Sequence, residues 1–216
     1  MEKNLSPEEK IFQPSKIEKI VQKLLVVLKL FLGILLLPFV YSSTKVFLEQ
    51  LFNIESKNAF FSGIAFFLLI YLFIWEPAVI YKKGQRFVQI IFGFFSPLIK
   101  VAPYLLPIYT IFSFLLYFLF LLIFKNQQLL ESFMFLFGLT ISFHLVFSAK
   151  SLKSKPSDYL KANYIFGFSF VWLVNIIILS FGFNLIFKEY SFVDFFNQTF
   201  KFGLEIYKAV FKQLFL

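Results

Sequence analysis

Apolar runs separated by short polar segments account for most of this chain of 216 residues. A helix needs about 20 predominantly apolar residues to cross the hydrocarbon core of a bilayer, and about five runs approach this length. The pattern therefore predicts an all-α fold, a polytopic transmembrane helix bundle with about five spans. We place these spans at residues 24–41, 59–81, 104–124, 129–149 and 164–187.

The residues outside the spans form two further regions. The segment before the first span carries Ser15 and Glu18 at the spacing of a helix-capping box, and a short surface helix is expected upstream of it. The predicted organisation is a tail with a surface helix at 1–23, a five-span domain at 24–187 and an amphipathic C-terminal helix at 188–216.

The apolar run at 87–124 is too long for one helix. Three prolines interrupt it: Pro97, Pro103 and Pro107. We divide the run into a short piece at 87–95 and the third span, and we expect the short piece to lie along the interface, to re-enter the bilayer or to be covered by other helices. Broken helices also build substrate sites in transporters, where Lys100 would bind an anion. The simpler interpretation is an interfacial elbow from which Lys100 reaches the headgroups.

The C-terminal region carries one polar stripe among apolar residues. Its members recur every three or four residues, as on one face of a helix: Asp194, Gln198, Lys201, Glu205, Lys208 and Lys212. Such a helix can lie in the membrane surface, cross as a sixth span with its stripe inside the bundle, or line a pore in an oligomer. Because charges are costly at bilayer depth, we predict the surface placement.

Composition agrees with a membrane protein. The chain is 59% hydrophobic with a mean hydropathy of +0.80, whereas soluble domains are about 45–50% apolar. It contains no cysteine, which excludes disulfides, thiolate metal sites and cysteine nucleophiles.

Charge predicts the orientation. Basic residues concentrate in the tail and in the second and fourth loops, so the positive-inside rule places the N-terminus in the cytoplasm. We expect an integral protein of a bacterial cytoplasmic membrane. Contacts with anionic lipid headgroups are predicted for Lys82, Lys83, Arg86, Lys150, Lys153 and Lys155. Topology already requires these positive loops, so the net charge of +9 does not indicate nucleic-acid binding.

The only histidine, His144, lies within the fourth span. Thr140, His144 and Ser148 recur every four residues and form a polar strip on one helix face, which should face protein or water. His144 could relay protons or bind a headgroup. We predict instead that it fixes packing by a hydrogen bond to Thr140 or to a neighbouring helix, because no second histidine, and no acid one turn away, accompanies it.

Two other intramembrane polar residues are candidates. Glu76 precedes Pro77, which favours a kink or the end of the second span at the cytoplasmic interface; a functional carboxylate at a helix break is the alternative. Asn175 shares a face of the fifth span with Trp172 and Gly182, and we interpret that face as a helix contact.

The motifs of the common enzyme classes are missing from the sequence. We find no HExxH, GxSxG, GxGxxG or Walker pattern, and we predict no catalytic residues, cofactor or metal. The expected function is that of a non-catalytic integral membrane subunit or scaffold, which binds membrane lipids and either other membrane subunits or further copies of itself. The alternative is a small transporter or channel with a cytoplasm-facing polar cavity around Glu76, Lys100 and His144.

Overall fold

The computed structural model describes residues 16–94, 102–124, 129–153 and 162–215. These residues are helical almost throughout and include no strand, which confirms the all-α class. The helices are α1 (Lys16–Phe52), α2 (Lys57–Phe73), α3 (Ala78–Ile91), α4 (Ile108–Phe124), α5 (Leu130–Ser151), α6 (Ala162–Ile186) and α7 (Phe192–Phe215).

Helix α5 lies at the centre of the described bundle. It contacts α2, α3, α4 and α6, and 61% of its most apolar window is buried, compared with 6% for α1. Aromatic rings fill the core around it: Phe137 of α5 stacks on Phe114 of α4 with centroids 4.2 Å apart, and Phe183 of α6 lies 6.2 Å from Phe137. Centroid distances of this size are usual for neighbouring aromatic rings in a protein core.

Helices α2 and α5 approach each other through two glycines. A Cβ atom on Gly63 would lie 2.0 Å from the carbonyl oxygen of Phe135, and one on Gly138 would lie 2.0 Å from that of Phe60. Each glycine thus rests directly on the backbone of the opposite helix, as small residues do in membrane helix pairs. The spacing between the two helices depends on the absence of side chains here.

Helix α1 packs against α6 and α7. Pro38 lies inside α1, and a proline disturbs the hydrogen bonds of the preceding turn. The carbonyl of Leu35 in that turn accepts a hydrogen bond from the Tyr207 hydroxyl of α7. A neighbouring helix therefore supplies a donor beside the proline, as is usual for helices in an apolar medium.

Three helices are long and apolar enough to cross a membrane: Lys16–Leu51 within α1, then α5 and α6. The pair α2 and α3 would be a fourth if counted as one bent span, and α4 is an apolar helix of shorter length. The described helices thus supply three or four candidate spans, and five spans stay a prediction.

The second predicted span, 59–81, is broken where Glu76 and Pro77 predict a kink or helix end. Helix α2 ends at Phe73 and α3 begins at Ala78, with a bend of 119° between them. The physical cause is Pro77, because the residue before a proline is pushed out of helical geometry. The basic sequence KKGQR, expected in a loop, lies inside α3 together with most of the apolar piece predicted at 87–95.

The third span begins later than predicted. Residues 102–105 form a separate helical turn, and α4 starts at Ile108, after Pro107. The expected polar stripe of the C-terminal region lies on the continuous helix α7.

Candidate functional site

A buried polar cluster surrounds the broken segment at 102–107. It is formed by His144 and Ser148 of α5, Tyr81 of α3 and Asn175 of α6, together with the backbone carbonyls of Tyr104 and Leu105. We refer to these groups as the polar cluster.

The local sequence explains why those two carbonyls need side-chain partners. Pro107 has no N–H group, and the N–H of Ile108 donates to the carbonyl of Leu106 instead of to Tyr104. Leu106 donates to Ala102. The carbonyl of Tyr104 is therefore left outside the helical ladder, and among the described residues no backbone N–H donates to the carbonyl of Leu105 either. Carbonyls shielded from water without a donor destabilise the fold.

His144 and Ser148 both bind the carbonyl of Tyr104. His144 Nε2 lies 3.1 Å from the carbonyl oxygen, and Ser148 Oγ lies 3.2 Å from it. Because a carbonyl only accepts, Nε2 must carry the proton of a neutral imidazole. Ser148 donates its own proton to the same oxygen, so the Tyr81 hydroxyl, 2.9 Å away, donates to Ser148.

Asn175 supports the next carbonyl. Its Nδ2 atom lies 3.1 Å from the oxygen of Leu105 and 2.7 Å from that of Val171, one turn earlier on its own helix. Its Oδ1 atom is buried and has no hydrogen-bond partner. Three side chains from two helices thus hold a two-residue stretch of broken backbone.

Aromatic rings separate the polar cluster from the surroundings. The Tyr81 ring stacks on Phe147 at 5.2 Å and lies 6.0 Å from the His144 ring, and His144 is only 3% exposed. Hydrogen bonds in such an environment are stronger than in water, and the loss of one leaves an unsatisfied group. The arrangement can fix the backbone conformation of 102–107.

The structure brings together only some of the predicted intramembrane residues. His144, Ser148 and Asn175 meet at the broken segment. Thr140 does not join them, because its hydroxyl donates to Leu136 on its own helix at 2.8 Å. Lys100 lies outside the described residues.

Glu76 lies apart from the polar cluster, at the surface. Its carboxylate accepts a hydrogen bond from Lys150 Nζ at 2.5 Å, and the side chains of Glu76 and Lys150 are 41% and 52% exposed. Exposed ion pairs of this kind are screened by water and salt.

We therefore expect Glu76→Gln to leave the unfolding midpoint of the membrane-extracted protein almost unchanged, at low and at high salt. Lys150→Gln removes the same pair and should match it. Thermal unfolding of both variants checks this expectation. A large loss of stability confined to Glu76→Gln would mean that the carboxylate has another role.

The residues predicted to contact lipid headgroups lie near Glu76 or on α3. Lys82, Lys83 and Arg86 are exposed on α3, whose buried face consists of Tyr81, Gly84 and Val88. Lys150 and the exposed Lys153 lie at the end of α5, and Lys155 is outside the described residues.

Sequence reasoning missed Tyr81 and Tyr207, each of which bonds to a partner on another helix. One signal could have pointed to their surroundings. The carbonyls of Leu35 and Tyr104 both lie three residues before a proline, Pro38 or Pro107, and proline frees carbonyls in the preceding turn.

Two cavities lie away from the polar cluster. One, of about 690 Å³, opens among the ends of α1, α4, α5 and α6 and includes Glu55, Glu131 and Glu189. The other, of about 210 Å³, is apolar and lies between α1, α6 and α7. Within the described ranges, no three His, Asp or Glu side chains are grouped closely enough to hold a metal ion.

Helices long and apolar enough to span a bilayer indicate that the chain is a membrane protein. Comparison with models of protein families, with curated proteins and with solved structures finds no match to this chain.

Proposed function

We propose that the chain is a non-catalytic integral membrane subunit or scaffold, which binds partner helices and lipid. The observation that supports this most directly is the first part of α1. Lys29 Nζ donates to Asn163 Oδ1 at 2.9 Å, so Lys29 lies level with the start of α6. Residues 16–28 continue about 20 Å past this level at 1.5 Å per residue.

This projecting segment has an apolar face without a partner in the described structure. Ile17, Ile20 and Leu24 recur at helical spacing and are 73%, 66% and 68% exposed. From Lys29 to Leu51, α1 covers about 33 Å, which already matches the roughly 30 Å of a hydrocarbon core. An apolar face beyond that length favours a protein partner, because exposed contiguous apolar surface marks interaction sites.

The polar cluster supports the non-catalytic part of the proposal. His144 and Ser148 use their hydrogen bonds on the carbonyl of Tyr104. A residue that stabilises the backbone in this way is held in one orientation, whereas a relay group needs a proton donor and an acceptor on its two sides.

The location and orientation are part of the proposal. We assign the N-terminus to the cytoplasmic face of a bacterial inner membrane by the positive-inside rule. Lys29 bonds to Asn163 at the start of α6, and Leu152, just after α5, lies beside Gly167 of α6. The basic residues of α3 and the end of α5 are therefore on the same side as Lys29. Helix α3 would then lie in the interface, with Lys82 and Arg86 at anionic headgroups and Phe87 and Ile90, both exposed, among the acyl chains.

Site-specific photo-crosslinking in native membranes tests the subunit role. A photoreactive residue at Leu24 is expected to attach to another protein. The matched control is a photoreactive residue at Leu115 on α4. The Leu115 side chain is 61% exposed, and this position should attach to lipid. Lipid adducts alone at both positions would argue against a partner on α1.

A small transporter is the second candidate, and one observation favours it. Two buried polar atoms near the broken segment, Thr110 Oγ1 and Asn175 Oδ1, have no hydrogen-bond partner among the described residues. Broken segments with free polar groups are where transporters bind solutes. Solute flux into liposomes that contain only this protein, lost in Asn175→Leu, would support transport over the subunit role.

A further inference from the structure

Helix α7 lies lengthwise along α1 and runs in the opposite direction. Three contacts fix this arrangement. The Ser191 N–H donates to Gln50 Oε1 at 2.9 Å, the rings of Phe200 and Phe39 stack at 6.1 Å, and Tyr207 donates to the carbonyl of Leu35. As residue numbers fall along α1, they rise along α7.

The two helices therefore occupy the same depth. The stretch of α1 from Leu35 to Gln50 covers about 22 Å, most of a hydrocarbon core, and α1 is long and apolar enough to cross a membrane. This geometry differs from the surface placement that the stripe alone predicts. Length and composition do not mark α7 as a span, because its polar stripe lowers its hydropathy.

The polar stripe of α7 lies on the outside of the described bundle. All six of its members, Asp194, Gln198, Lys201, Glu205, Lys208 and Lys212, are exposed. Helix α1 widens the stripe, since Lys45 Nζ lies 4.5 Å from the centre of the Phe202 ring of α7 and 3.8 Å from Glu49. Charged side chains at bilayer depth face protein or water rather than lipid.

The order of charges points to what covers the stripe. Along α7 the signs run negative at Asp194, positive at Lys201, negative at Glu205 and positive at Lys208 and Lys212. Two copies inserted in the same direction bring their α7 helices together in parallel. Lys201 of each copy can then face Glu205 of the other, as in the charged flanks of parallel coiled coils. A stripe that complements itself fits an interface with two-fold symmetry.

We propose that α7 crosses the membrane and that its polar stripe is the interface between two copies of this chain. The inference rests on the proposed membrane function and names one of its partners, a second copy. The contact is electrostatic and apolar together, because Leu204, 39% exposed and within one turn of Lys201 and Lys208, flanks the charges on α7. Lys201 and Glu205 fix the register.

Disulfide cross-linking in native membranes tests this inference. The natural chain has no cysteine, so a single introduced thiol reports one position without background. Under mild oxidation, Gln198→Cys is expected to give a disulfide-linked dimer. Phe196→Cys is the matched control, because Phe196 is 55% exposed, lies only two residues from Gln198 and is on the opposite face of α7. It should remain monomeric.

Charge reversal gives a second readout. In the Gln198→Cys background, Lys201→Glu or Glu205→Lys should each lower the cross-linked fraction about tenfold, because like charges then face each other. The double variant with both reversals restores opposite signs and should recover the dimer. Recovery also shows that the reversals do not simply prevent insertion.

Three results would overturn the inference: no dimer from Gln198→Cys, equal cross-linking from Phe196→Cys, or no recovery in the double variant. A cross-link to a different protein at Gln198→Cys would also overturn it and would leave the proposed subunit role standing. If Gln198→Cys gives a dimer and no foreign protein is bound, the inference stands and the proposed subunit role is contradicted.

Discussion

Gly138→Leu is expected to separate α2 from α5 and to cause the largest loss of stability of any single change considered. Even the Cβ atom of alanine would lie 2.0 Å from the carbonyl oxygen of Phe60, and a backbone atom cannot rotate away as a side chain can. Overpacking costs about 1–3 kcal/mol, and the larger leucine side chain should exceed this range. Gly63→Leu should lower the stability to a similar extent, because a Cβ atom at residue 63 would lie 2.0 Å from the carbonyl oxygen of Phe135.

Thermal unfolding in a lipid-retaining polymer measures this effect. Gly167→Leu is the matched control on α6, since its nearest neighbour, Leu152 Cδ2 at 3.3 Å, is the end of a flexible side chain that can move aside. We expect a small shift of the midpoint for the control and a large fall for the other two variants. Similar shifts for all three would mean that α2 and α5 are not in backbone contact.

Loss of both donors to the Tyr104 carbonyl is the second large effect. We expect His144→Leu to cost about 1 kcal/mol, the usual net value of a hydrogen bond, because Ser148 still donates to the carbonyl. Ser148→Ala should cost more, about 1–3 kcal/mol, because it also leaves the buried Tyr81 hydroxyl without its acceptor. The double variant leaves the carbonyl buried and unsatisfied, which costs about 1–3 kcal/mol for that group alone. The combined effect should therefore exceed the sum of the two single effects.

A double-mutant cycle based on unfolding midpoints checks this coupling. Thr140→Val is the control, because Thr140 is buried on the same helix and bonds only to its own backbone; we expect a small effect that adds to that of Ser148→Ala. Additive costs for His144 and Ser148 would indicate that the two residues do not share an acceptor. A stable His144→Leu protein with impaired biological activity would instead favour the functional interpretation.

The structural features that depend on nearby residues are predicted best from the sequence. Apolar length and helical spacing predict the all-α class, and Pro77 marks the place where α2 and α3 bend. The later start of α4 has an equally local cause in Pro107, but the sequence does not tell which of several prolines ends a helix.

Long-range contacts are where sequence reasoning is insufficient. Gly63 is an ordinary small residue in a hydrophobic run, and its importance arises only from the backbone of Phe135. The pairing of His144 with the carbonyl of Tyr104 joins residues 40 positions apart. A helical period shows that His144 and Ser148 share a face but not which backbone group that face meets.

Helix α7 illustrates the limit of hydropathy. The spacing of its polar residues predicts an amphipathic helix, whereas its depth is set by Gln50, Phe39 and Leu35 of α1. Hydropathy is a property of one helix in isolation. It has the same value whether the charged stripe of that helix is covered by protein or faces water.

We propose that this chain is a membrane subunit whose outer surfaces bind partners. Native mass spectrometry after extraction from its own membrane in a lipid-retaining polymer tests it most directly, because one spectrum reports bound proteins, stoichiometry and lipid. We expect two copies of the chain together with at least one foreign subunit and retained anionic lipid. A monomer or homo-oligomer without foreign subunits would contradict the subunit role and favour transport.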